Sequence, residues 1–335
     1  MSADTALMEV LSDGAVHSGA ALARHFGITR AAVWKRVARL RAQGVVIDAV
    51  AGSGYRLPRP WQALDRDRIL AQMPPRARKL LGSLRVMAST ESTNDDLRAD
   101  AATLPDCSVL VAEHQTHGRG RRGRVWVSPL GAGLWFSILA RSESGVGAMA
   151  GLSLAIAVLV AEALERVGVR HVALKWPNDV WCEGRKLGGI LIELAGDWHG
   201  PSTAVIGIGI NVTLPSASKA QIDQPVADLA QVLGAVPDRN QLLAALLEAL
   251  LLGLEEFRHQ GLAAFYDRWD ARDVLRGCEV VVAGAAAVAG IADGIDHEGR
   301  LRVLTRGGAT LVSAGEVNVR ASAAALAAME FHNAP

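Results

Sequence analysis

The sequence predicts an α+β chain of three domains, and three observations carry that expectation. Two short helices joined by a glycine turn, then a glycine-tipped hairpin, occupy the first sixty residues. Strands and helices then mix irregularly to about residue 270. Beyond that point short strands follow one another between glycine turns. The expected domains are 1–60, 61–270 and 271–325. The chain has 335 residues, 50% of them hydrophobic, which is enough to bury a large core. The formal net charge is +1, so contact with nucleic acid must be local and not driven by a global basic field. Cys107, Cys182 and Cys278 stand far apart, without CxxC or Cys/His spacing. Neither a disulfide framework nor a bound metal is expected.

In chain order, a first helix is predicted near 4–11 and Asp13-Gly14 turns the chain. Ser18 is placed to cap a helix over 19–26 that Gly27 ends. Thr29 caps a third over 30–43, with Gly44 as its stop and Val33, Val37 and Leu40 as its apolar stripe. Arg30, Trp34, Lys35, Arg39 and Arg41 lie on its other faces. Residues 45–50 and 55–57 flank a glycine turn. Helix, turn, cap and hairpin agree on a winged helix-turn-helix, with Thr29, Arg30, Trp34, Lys35 and Arg39 as candidate DNA contacts. An ordinary three-helix packing module with a basic face fits the same features. Pro58-Arg59-Pro60 reads as a stiff linker.

In the middle region Arg85-Val86-Met87 is a short strand. Ser92 or Thr93 then caps a helix whose start offers hydroxyls and an amide, from Asn94, to a neutral polar ligand. Residues 109–112 and 135–139 are strands. The apolar run 148–161, broken by Ser153, is shorter than the ~18 residues a membrane span needs, so a buried helix is expected. The acidic N-terminus lacks a signal-peptide pattern, and a cytoplasmic location is expected. Strands at 172–176 and 180–182 precede a hairpin into 186–193, with Lys186 beside the turn. In the strand 205–211, Gly207, Gly209 and Asn211 share one face. A flat ligand against the backbone explains two glycines there, and so does close packing of another element. Residues 212–226 read as a mobile loop, and Asn240 as the cap of a long helix to Gln260. Four strands over 279–282, 287–292, 301–304 and 309–312 read as a small β-barrel.

One stretch organises the rest. Gly118-Arg119-Gly120-Arg121-Arg122-Gly123-Arg124 packs three glycines and four arginines into seven residues. It reads as a flexible cationic loop whose guanidinium forks suit carboxylate or phosphate oxygens. A solvated basic loop or a nucleic-acid patch fits the same composition. Gly118-x-Gly120-x-x-Gly123 also matches a dinucleotide fingerprint. That motif must open a helix, whereas β-prone Val125-Trp126-Val127 and Pro129 follow here.

Five motifs in order carry a resemblance: Glu91-Ser92-Thr93-Asn94; the arginine–glycine stretch with Trp126, Ser128 and Pro129; Lys175-Trp176-Pro177-Asn178-Asp179; Arg185-Lys186-Leu187-Gly188-Gly189-Ile190; and Gly207-Ile208-Gly209-Ile210-Asn211. With His17-Ser18-Gly19 and Ser53-Gly54-Tyr55, they make the chain resemble the bifunctional biotin–protein ligases and biotin-operon repressors of bacteria along nearly its whole length. The resemblance implies an N-terminal winged helix, a central mixed α/β ligase domain related to class II tRNA synthetases, and a C-terminal SH3-like β-barrel. It implies biotin, ATP and Mg2+ as substrates and cofactor. The implied partners are the biotin carboxyl carrier protein of acetyl-CoA carboxylase, operator DNA, and a second copy of the chain once biotinyl-AMP is bound. No membrane partner is implied.

By the same resemblance, Ser92, Thr93, Asn94, Gln115, Arg119, Gly120, Arg121 and Lys186 form the biotin and adenylate site, joined by Gly207, Gly209 and Asn211. Arg121, Lys186 and Arg119 are the expected catalytic groups. The family's tryptophan in the loop matching 212–226 is absent here. Glu316 and Arg320 fall in a Gly-Glu-x-x-x-Arg stretch that suits a role near ATP or the carrier, or a structural salt bridge. Three alternatives stand beside this reading: a ligase with a vestigial winged helix, a non-catalytic biotin-sensing regulator, and a lipoate–protein ligase.

Overall fold

A computed structural model describes residues 3–59, 61–283, 287–313 and 318–321. Three helices open the chain: α1 (Ala3–Leu11), α2 (Gly19–Phe26) and α3 (Arg30–Ala42). Ser18 and Thr29 cap α2 and α3 as expected, accepting from Ala21 N and Ala32 N at 3.1 Å each. The stripe Val33, Val37 and Leu40 is buried with Leu7, Leu11 and Leu22. A two-stranded wing follows, β1 (Asp48–Val50) and β2 (Gly54–Arg56). His17 and Tyr55 exchange backbone hydrogen bonds of 2.9 Å, which joins the two motif fragments that flank α2 and the wing.

The central domain begins with two helices the sequence did not announce, α4 (Arg66–Gln72) and α5 (Pro75–Leu80). β3 (Ser83–Met87), α6 (Thr93–Ala99), β4 (Ser108–Ala112) and β5 (Gly133–Ser142) follow. Next come α7 (Leu152–Arg166), β6 (Val172–Lys175), β7 (Asp179–Cys182), β8 (Arg185–Gly196) and β9 (Ser202–Asn211). Seven strands form one sheet in the order β3-β4-β5-β9-β8-β7-β6. Only β3 and β4 run parallel; every other pair is antiparallel. One face is covered by α7 and by α10 (Arg239–Gln260), which follows the short α8 (Ser216–Lys219) and α9 (Leu229–Leu233). α7 is apolar on nearly all sides because eleven of its side chains are buried there. α6 lies against β5 and β9 on the other face and carries the Ser-Thr-Asn motif.

After α11 (Tyr266–Asp270), five strands pair in the order β13-β12-β11-β10-β14. They are β10 (Glu279–Ala283), β11 (Val288–Ile295), β12 (Leu301–Thr305), β13 (Gly308–Val312) and β14 (Asn318–Ala321). The expected small β-barrel is made of these antiparallel strands, with β13 and β14 at the two ends of the order among the described residues. Its inner side chains, including Val280, Val282, Leu301 and Val303, join the core of the central domain. β14 was not read from the sequence. Arg320 lies on it, opposite Val281, while Glu316 lies outside the described residues.

Two local expectations need correction, at the α10 cap and in the loop 212–226. Asp238, not Asn240, caps α10, accepting from Asn240 N at 2.8 Å and Gln241 N at 3.0 Å. Asn240 is buried and instead ties down the chain after the linker, bonding Asp65 N at 2.8 Å and Ala63 O at 2.9 Å. The β-prone run 125–129 opens no helix, as expected, and makes a single bridge between Val125 and Arg119. The loop 212–226 is not featureless: it contains α8.

The winged helix sits on the segment that follows the arginine–glycine stretch. Leu130 N donates to Gln43 O at 3.3 Å, and Leu130 is buried in the core of the winged helix. Trp61 packs on Gly131 so closely that an added Cβ there would lie 2.1 Å from its indole nitrogen.

Candidate ligand-binding cavity

A cavity of about 1250 Å³ opens on the sheet face that α6 borders. All eleven sequence-derived binding residues line it: Ser92, Thr93, Asn94, Gln115, Arg119, Gly120, Arg121, Lys186, Gly207, Gly209 and Asn211. They come from the start of α6, the loop after β4 with its arginine–glycine stretch, β8 and β9, which the sheet order brings together.

One wall is a polar chain set by the start of α6. Ser92 caps the helix, accepting from Asp95 N at 3.4 Å. Gln115 Oε1 accepts from Thr93 N at 2.9 Å and from Thr93 Oγ1 at 3.1 Å. Gln115 Nε2 donates to Ser128 Oγ at 3.1 Å. Thr93 Oγ1 lies 2.7 Å from Ser137 Oγ, which donates to Asn94 Oδ1 at 2.6 Å. Asn94 Nδ2 donates to Glu193 Oε2 at 2.8 Å. The chain fixes each amide and hydroxyl in orientation, as recognition of a neutral polar ligand requires.

The glycines on β9 act by close approach. A Cβ on Gly207 would lie 2.3 Å from Asn94 Oδ1, and one on Gly209 would lie 2.5 Å from Trp126 Cε2. Asn94 and the Trp126 indole therefore lie against that strip of backbone. Asn211 is buried and donates to Ala227 O at 3.0 Å, which anchors the end of the loop after β9.

The arginine–glycine stretch is a closed turn and not a slack loop. Trp126 N donates to Gly118 O and Gly120 N to Arg124 O, both at 2.8 Å. Arg121–Gly123 makes one 3-10 turn, with Arg122 at φ 57°. Gly118 is buried, and a Cβ there would strike Trp126 O at 2.4 Å. Arg119 is held by Asp95 at 2.6 Å and Glu193 at 3.2 Å, so it braces the turn against α6 and β8. Arg121 enters the cavity: burial lowers its pKa, neighbouring Arg122 adds to this, and Asp179 opposes it.

Opposite Arg121, Lys186 pairs with Asp179 at 2.8 Å and stands 5.3 Å over the Trp126 ring. Sequence reasoning overlooked Lys175, Asp179, Trp126 and Trp181 as site residues, although all four line the cavity. Lys175 Nζ lies 4.3 Å from the Trp181 ring centroid, and burial lowers its pKa, opposed by Asp179 and aided by Lys186. The signal was the Lys-Trp-Pro-Asn-Asp run, whose first and last residues are register partners on β6 and β7. Among the described residues no three metal-binding side chains gather. The thiols of Cys107 and Cys182 are buried and pushed up to about 11, as suits inert core cysteines.

On the winged helix, Arg30, Trp34 and Lys35 are exposed along α3, with Trp34 61% accessible. Thr29 serves as the cap. Arg39 is exposed but paired with Asp4 on α1 at 2.5 Å.

Comparison with known proteins bears on the whole chain. The biotin/lipoate A/B protein ligase family model matches residues 85–211, and an HTH domain model matches residues 5–56. The bifunctional ligase/repressor BirA of Salmonella typhimurium is 39% identical over 318 residues, which is 94% of this chain and 97% of that one. A biotin--[acetyl-CoA-carboxylase] ligase of Mycobacterium tuberculosis is 38% identical over 271 residues, 76% of this chain and 98% of that one. The solved biotin protein ligase from Aquifex aeolicus, in complex with biotin and ATP, aligns with a TM-score of 0.64. It is 30% identical and covers 72% of this chain and 99% of that one.

Proposed function

The chain belongs to the bifunctional biotin–protein ligase and repressor family, and from that premise we propose how its residues divide the work. It is a biotin–protein ligase that uses biotin and ATP, with an N-terminal DNA-binding domain that serves repression. Residues 1–60 bind DNA, 61–270 form the ligase domain, and 271–325 form the C-terminal domain. The single observation that carries the site assignment is the meeting of a fixed neutral polar wall and a cationic wall in one cavity.

Ser92, Thr93, Asn94 and Gln115 receive the neutral ureido end of biotin, whose donors and acceptors match theirs. Arg121 and Lys186 hold the biotin carboxylate against the α-phosphate of ATP. A carboxylate oxygen attacks that phosphorus, an O–P bond forms, and pyrophosphate leaves with the electrons of the broken bond. A lysine of the carrier protein then attacks the acyl carbon of biotinyl-5'-AMP, AMP leaves, and the amine proton passes to solvent. No protein nucleophile is needed, so catalysis is positioning together with charge stabilisation. Arg119, Gly120, Gly207, Gly209 and Asn211 shape the cavity around these groups.

Magnesium would enter with ATP, because such a site keeps waters and substrate phosphates as ligands and needs only one or two carboxylates. Asp179 is the carboxylate among the cavity's cations that would hold it, and the ion would supply further charge neutralisation at the phosphates. Biotinyl-AMP binding promotes pairing of two chains, and a two-fold pair presents two winged helices to an operator with matching symmetry. Arg30, Trp34 and Lys35 reach the DNA, with Thr29 and Arg39 setting the frame of α3. ATP, carrier and operator place this work in the cytoplasm. α7 is covered by the protein core, so the reading needs no membrane.

The test is incubation with biotin, ATP, magnesium and purified carrier protein, followed by mass spectrometry. Biotin on one carrier lysine, with biotinyl-AMP as intermediate, is the expected result. Binding of biotin with no adenylate and no labelled carrier would leave a non-catalytic regulator instead.

A further inference from the structure

Lys175 has no role in the scheme above, yet it is the cavity's least explained charge. Its ammonium rests on the Trp181 ring, at 4.3 Å, and makes no hydrogen bond or ion pair among the described residues. Asp179, whose charge Lys175 feels, is bonded instead to Lys186 at 2.8 Å. Lys175 faces Asp179 in the β6–β7 register, and Trp181 faces Lys186 in the β7–β8 register. One hairpin face therefore collects Lys175 and Lys186 around Asp179, in a cavity that Arg121 also lines. An ammonium half removed from water gains only weakly from a ring face and calls for an anion. A methionine would fill the same space without that cost, so packing alone gives no reason for the charge.

Resting on the ligase reading, we propose that Lys175 binds the β,γ-diphosphate of ATP and receives the departing pyrophosphate in the adenylation step. Arg121 and Lys186 serve the α-phosphate, which stays with the substrate as part of the adenylate. When the biotin oxygen bonds to the α-phosphorus, the bridging oxygen to the β-phosphorus takes the electron pair of the breaking bond. Lys175 stabilises that growing charge on the side away from biotin. The second half-reaction, attack by the carrier lysine with loss of AMP, has no pyrophosphate and gives Lys175 nothing to do.

The experiment separates the two half-reactions in Lys175→Met and Lys175→Arg. Adenylation by the Met variant should fall roughly tenfold or more, and inhibition by added pyrophosphate should weaken by a similar factor, as loss of one charged hydrogen bond implies. Transfer from chemically made biotinyl-AMP to the carrier should stay within about twofold, because this step makes no use of that bond. The Arg variant should recover part of the adenylation rate. Equal loss in both half-reactions would show a scaffold role and overturn the proposal, as would unchanged pyrophosphate inhibition. If the wild-type protein forms no adenylate, the ligase reading itself fails. Where the Met variant does not fold, amine acetylation of the wild-type protein decides. Pyrophosphate should shield Lys175 from the reagent, and equal modification with and without it would overturn the proposal.

Discussion

A guanidinium that gives up water on entering a cavity gains more from each anion it then meets, and Arg121 is in that position. Replacing it in Arg121→Gly removes a charged bond worth ~1.5–3 kcal/mol, or roughly 10- to 100-fold in retention of biotinyl-AMP. Escaped adenylate would then acylate lysines of bystander proteins. Mass spectrometry of an added unrelated protein checks this, and an unlabelled bystander would rule out Arg121 as the clamp. A second residue reports through pH. Burial pushes the Asp273 carboxyl up to about 6, against the opposing hydrogen bond from Leu275 N at 2.9 Å. Between the ordinary value and about 6, the folded state binds more protons than the unfolded state. The stabilising contribution is therefore complete at low pH and is lost as pH rises through the folded value. Between pH 5 and pH 7 the loss is about 1 kcal/mol. Urea unfolding of the wild type and Asp273→Asn should show that difference in slope, and parallel profiles would contradict it.

At the scale of elements, β9 presents bare backbone and the turn before β5 lays Trp126 on it. Gly209→Ala would place a Cβ 2.5 Å from the indole, so the ring must move. Affinity for biotinyl-AMP should fall roughly tenfold, and Trp126→Ala should couple to it by ~0.5–3 kcal/mol in a double-mutant cycle. Calorimetry measures both, and strict additivity would mean that the two residues do not share the site. The sequence exposed this geometry only in part. The alternation of Gly207 and Gly209 on one strand face was readable, but what covers them, Asn94 and Trp126, comes from two distant parts of the chain. Caps of α2 and α3 were legible because the capping side chain and its helix are neighbours. For α10, Asp238 and Asn240 both suited a helix start. The choice fell to Asp238 because Asn240 is drawn off by the chain at 63–65 and a carboxylate suits a helix N-terminus. β14 escaped notice because four residues at an edge owe their strand geometry to pairing with β10, not to local pattern.

Across the whole molecule, one short segment joins the ligand turn to the DNA-binding domain. Arg119 to Arg121 and Arg124 to Val127 wall the cavity, and Pro129 to Gly131 carries Gln43, Gly44 and Trp61. The buried pair Arg239–Glu113, at 2.7 Å, holds the chain after the linker against the central domain, with Leu64 N donating to the same carboxylate at 2.6 Å. The winged helix nevertheless has its own cluster of buried side chains, apart from the core that the central and C-terminal domains share. Deleting residues 1–60 should therefore spare carrier labelling and abolish operator binding, read by a gel shift with and without biotinyl-AMP. Undiminished operator binding by the truncated chain would overturn the domain assignment.

The central claim is that one cavity, closed by the arginine–glycine turn, holds the activated acyl phosphate. A crystal structure with biotinyl-AMP tests it most directly. The expected result places the phosphate within hydrogen-bond reach of Arg121 and Lys186, with the ureido ring beside Thr93 and Gln115. An adenylate bound elsewhere, with Arg121 turned to bulk water, would contradict it.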